Sequence, residues 1–72
     1  MAHDIAQIPS GFVQVHHSEF REFLQYQVRT HHEKEHVSIR EGIVEWFISG
    51  CVIAMTRKQR GDTQAYFILS HQ

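Results

Sequence analysis

Three Gly-containing dipeptides, Glu41-Gly42, Ser49-Gly50 and Arg60-Gly61, cut the second half of the chain into short segments whose apolar residues recur at every second position. Glycine reaches the positive φ that a two-residue hairpin turn requires, so the pattern predicts a hairpin at each point. Counting outward from the turns fixes a register for a four-stranded antiparallel meander over residues 37–70. Val37, Ile39, Val44, Trp46, Ile48, Cys51, Ile53, Met55, Tyr66 and Ile68 then share one side, which is the expected core. Cys51 reads as a small buried hydrophobe there.

Before Val37 the period is different. Phe20, Phe23, Leu24, Val28 and His31 fall three, four and seven residues apart, the stripe of an amphipathic helix, with Arg21, Glu22, Gln25 and Arg29 on the solvated side. Ser18 is the expected N-cap, with Glu19 and Glu22 suited to the positive helix end. The helix is expected over residues 18–33. Upstream, Phe12, Val13 and Val15 suggest a short fifth strand at 12–16, and residues 1–10, broken by Pro9, read as an arm. With 72 residues the chain holds a single small domain, expected to be α+β: one helix packed on an antiparallel sheet of four strands, or five with the first.

The second side of the meander is half apolar. Ser38, Arg40, Glu45 and Thr56 are expected there, but so are Ile43, Phe47, Val52, Ala54, Phe67 and Leu69. Leaving so many large side chains wet would forfeit several kcal/mol at about 25 cal/mol per Å2. Ile43, Phe47, Val52, Phe67 and Leu69 are therefore the candidate protein-binding surface. Three covers compete: the N-terminal arm, a second copy of the chain, or a larger protein. The expected function is a small non-enzymatic interaction module, acting as a homodimer or as a regulator or inhibitor that docks on a larger protein.

Composition narrows the rivals. Lys and Arg total 7 against 8 Asp and Glu, so bulk charge draws the chain neither to nucleic acid nor to an anionic membrane. A local basic tip, Arg57, Lys58 and Arg60, supports an alternative reading as a nucleic-acid-associated regulator. His32-Glu33-Lys34-Glu35-His36 spells H-E-x-x-H, in which two His one helical turn apart bind Zn2+ and the Glu activates water. That chemistry needs a continuous helix, a third ligand and a cleft, so a zinc hydrolase is the lesser expectation; simple Zn2+ binding by His32 and His36 among the 7 His is the other alternative. No cofactor is expected. A single Cys, no Asn, no signal-like leader and no long apolar run agree with a cytoplasmic chain that does not enter the membrane.

Overall fold

The computed structural model describes residues 8–31, 36–61 and 63–70. The arm positions 1–7 lie outside the described residues. Five strands and one helix follow in the order β1 (Phe12–Val15), α1 (His17–Thr30), β2 (His36–Arg40), β3 (Ile43–Ile48), β4 (Cys51–Lys58) and β5 (Gln64–Leu69). All strand pairs are antiparallel and the sheet order is β1-β5-β4-β3-β2. The fold is α+β, and the fifth strand is present: β1 closes the far side of β5, with Val13 opposite Ile68 and Val15 opposite Tyr66.

Two of the turns form as the glycines require. Glu41 and Gly42 have φ of 49° and 81°, Ser49 and Gly50 of 56° and 78°, the pair of positive values that a two-residue turn with right-handed strand twist uses. The third differs by one residue. Lys58 pairs with Gln64, and the Gln59 N–H donates to the Thr63 carbonyl at 2.7 Å, so the turn closes on Gln59 and Thr63, one residue wider than Arg60-Gly61 alone requires.

A second one-residue departure sits in β4. Trp46 pairs with Ala54 while its neighbour Phe47 pairs with Val52, a bulge that leaves Ile53 without an opposite number. Beyond the bulge the faces of β4 exchange. Ile53 and Ala54 both join Phe20 and Ile48 in the helix-side core, whereas Met55 joins Ala65 and Phe67 in a second cluster on the reverse side. Met55 therefore does not face the helix as the uninterrupted register implies. Ala54 and Thr56 take the helix side, opposite Trp46 and Val44. Cys51 is also corrected: it follows the Ser49-Gly50 turn at the end of its strand and is exposed, not buried.

The helix begins two residues earlier than the Ser18 cap implies and ends at Thr30, short of residue 33. His16 is the N-cap. Its Nδ1 accepts from the Ser18 N–H at 3.2 Å, and its own N–H donates to Glu19 Oε1 at 3.3 Å, a reciprocal pair that satisfies amides the first turn leaves free. At the other end the His31 N–H donates to the Gln27 carbonyl at 3.0 Å. Phe20 is the buried anchor of the stripe, Phe23 and Leu24 are half-buried, and Val28 is exposed. Gln27 is buried instead, at 3 %.

Candidate functional site

Phe20 locks α1 to the sheet. Its ring makes a T-shaped contact with Trp46, centroids 5.1 Å apart, and is tilted against Tyr66 at 5.2 Å; the His17 ring is tilted against the same Tyr66 at 5.0 Å. Trp46 belongs to β3 and Tyr66 to β5, and Phe20 also packs with Ile53 and Ala54 of β4, so the anchor holds the helix over β5 and β4. A helix is about 10 Å wide, while five strands spaced at about 4.8 Å put roughly 19 Å between the outer strand axes. One helix cannot cover that width.

The uncovered part is the β2–β3 flank on the helix side. Val37 pairs with Trp46 and Ile39 with Val44, so all four point to the face that carries the helix. Val37 and Ile39 are nevertheless 41 % and 75 % exposed. Their parity follows the sequence register, but they are not core residues, because the helix does not reach them. Between the flank and the helix runs an open groove of about 630 Å3 lined by Leu24, Gln25, Val28, Arg29 and Trp46. A smaller hollow of about 380 Å3 lies on the N-terminal side of Leu24, along His17, Phe20, Arg21 and Gln25, and shares Trp46 as a wall. With Val28 at 44 % exposure, Leu24, Val28 and Trp46 give the groove an apolar part, and Gln25 and Arg29 give it a polar one.

The reverse side is better closed than the sequence implies. Phe67 is only 1 % exposed and packs with Met55, Ala65, Phe12 and Val52. The Arg57 guanidinium lies over its ring, 5.3 Å from the centroid, and also approaches Met55 Sδ at 3.9 Å. Phe67 is therefore not available as a docking residue. The other candidates are half-buried and differ in their neighbours. Val52 belongs to the Phe67 cluster, Leu69 packs against the helix-side core, Ile43 stands opposite Arg57, and Phe47 stacks with His36 at 5.5 Å.

The basic residues are likewise separated. Arg57 is engaged on the reverse side with Phe67, the adjacent Lys58 alternates to the other face with its N–H donating to the Gly42 carbonyl at 3.2 Å, and Arg60 is exposed at the loop. His36 is a strand residue of β2 and α1 stops at Thr30, so the single helix that H-E-x-x-H chemistry needs does not continue to His36. His32 and Glu33 lie outside the described residues. Among the described residues no group of three or more His, Cys, Asp or Glu is placed to hold a metal ion, and no helix is long and apolar enough to cross a membrane.

Two features escaped sequence reasoning. Gln27 interrupts the apolar stripe yet is buried, and the open flank consists of residues that the alternation assigns to the core. The width comparison between one helix and five strands is the signal that finds the second. No family model, curated protein or solved structure matches the chain.

Proposed function

We infer that this chain is a non-enzymatic protein-interaction module whose docking surface is the open β2–β3 flank, with a second copy of the chain as its occupant. The observation that carries this reading is the exposure of Ile39, at 75 %, beside Val37 and the Trp46 groove. Isolated exposed apolar residues need no explanation, but a contiguous set bordering a groove does. Covering Ile39 alone would return about 1–2 kcal/mol, and Val37 and Val28 add to it. Small single-core chains gain burial by association, and two-fold pairs are the commonest assembly.

The test is site-directed photocrosslinking of the full chain, with benzoylphenylalanine at position 28 or 39, and at 22 on the exposed helix face as control. A product of twice the 8.5 kDa chain mass from positions 28 and 39, absent from 22, supports the reading. Adducts carrying only a foreign mass would replace the second copy with a larger partner. No adduct at any flank position would overturn the docking role.

A further inference from the structure

The two edges of the sheet are not equivalent. At β1 the backbone of Gly11 is turned toward β5, where its carbonyl accepts from the Ser70 N–H at 2.9 Å, so the next residue, Phe12, turns its N–H outward. That N–H is already taken, donating to the Pro9 carbonyl at 3.1 Å, which leaves Gln14 as the one β1 position with both backbone groups turned outward. Among the described residues the β2 edge carries no comparable bond. A two-residue turn closes on its flanking pair, so Arg40, Ser38 and His36 direct their N–H and C=O groups to β3, and Val37 and Ile39 direct theirs away from the sheet. The middle of β2 reads Val-Ser-Ile, without the proline, charge or bulge that usually protects an edge. Its two outward-facing backbone positions are thus also its two exposed apolar side chains.

We propose that two copies of the chain join β2 to β2 in antiparallel register about a two-fold axis at Ser38, making one continuous sheet of both molecules; this rests on the docking reading above. Backbone parity permits a centre on any residue of β2, and only Val37, Ser38 and Ile39 pair more than one strand position. Centring on Ile39 sets Val37 opposite Glu41 of the turn, and centring on Val37 sets Ile39 opposite a position that precedes β2. Centring on Ser38 sets Val37 opposite Ile39 in both halves. Each such pair exchanges both of its N–H···O=C bonds, and the β-branched side chains meet on the helix side. Both helices then stand on the same face, and the two Trp46 grooves flank the paired Val37 and Ile39 side chains.

Two substitutions separate backbone pairing from face packing. The Ile39 N–H does not serve β3, so Ile39→Pro removes a donor to the second copy while sparing the β2–β3 ladder, as edge prolines do. Ile39→Lys keeps the donor and removes the apolar contact. The pairing predicts a wild-type mass of twice 8.5 kDa by sedimentation equilibrium, both variants at the chain mass, and unchanged near-ultraviolet dichroism from Trp46. It also predicts that Val37 and Ile39 amides in the wild type exchange at least about tenfold more slowly at high than at low protein concentration, a readout independent of any variant. If Ile39→Lys dissociates the pair but Ile39→Pro does not, or if the two amides exchange at the same rate at all concentrations in a dimeric sample, the ladder is overturned and the flank remains a docking face. A wild-type chain that stays monomeric at all concentrations overturns the ladder together with the docking reading.

Discussion

The Phe20 and Trp46 rings meet at an interplanar angle of 75°, and this contact joins the helix to β3. Phe20 is 3 % exposed and is the one apolar helix residue fully inside. Phe20→Ala is expected to cost about 3–5 kcal/mol through lost burial and a residual cavity. A domain with about 5–15 kcal/mol in hand loses a large share of its stability that way. Thermal denaturation followed by Trp46 fluorescence checks it: the variant should melt far below the wild type and emit further to the red. A melt within a few degrees of the wild type would mean that the helix is held elsewhere.

Ala54 has no exposed surface, and the bulge at Ile53 is what turns it under the helix. Inserting three more carbons at that position has to displace Phe20 or Trp46. Ala54→Leu is therefore expected to destabilise the chain by about 1–3 kcal/mol. Met55→Leu, one residue on and on the reverse side, conserves volume and should cost less than about 1.5 kcal/mol. Chemical denaturation of the two variants tests the order. An uninterrupted register would put Ala54 on the other face and remove the reason for the Ala54 penalty.

The same bulge explains how much of the fold is legible in the sequence. The glycine turns locate β2 to β5, and the change of period at Val37 separates helix from sheet. Two one-residue departures then enter, one at Ile53 and one in the turn between Gln59 and Thr63. They offset each other for β5, so Tyr66 and Ile68 face the helix and Phe67 the reverse side, as alternation alone implies. They do not cancel within β4, where Ala54, Met55 and Thr56 change faces. Alternation reports which residues share a side, but it carries no information on how far a helix extends over that side. That is why Ile39 reads as core and is 75 % exposed, and why the candidate surface moves from the Phe67 side to the β2–β3 flank.

His16 illustrates a cap that residue preferences point away from. Serine is the commoner N-cap, yet Ser18 lies inside the first turn and offers its N–H to the imidazole. His16→Ala removes that acceptor and should cost about 0.5–2 kcal/mol, the range for losing a helix cap. In a domain of this size each kcal/mol moves the melting temperature by roughly 4–8 °C. His16→Asp supplies an acceptor at the same position and should restore most of the loss. Equal melting temperatures for the Ala variant and the wild type would show that the cap contributes nothing.

Glu41 and Ser49 occupy the first position of their turns with positive φ, 49° and 56°, where a side chain other than Asn, Asp or Gly is strained. Both are exposed, so nothing in the packing compensates the strain. Asn-Gly is the preferred sequence for such turns because the Asn side chain tolerates the left-handed region. Glu41→Asn and Ser49→Asn are each expected to stabilise the chain by a few tenths to about 1 kcal/mol, comparable to other substitutions that suit the backbone. The sites lie at opposite ends of β3, share no partner, and should add in the double variant. A drop in melting temperature for either would mean that the turn is not held with both central residues at positive φ, and the register counted from it would fail with it.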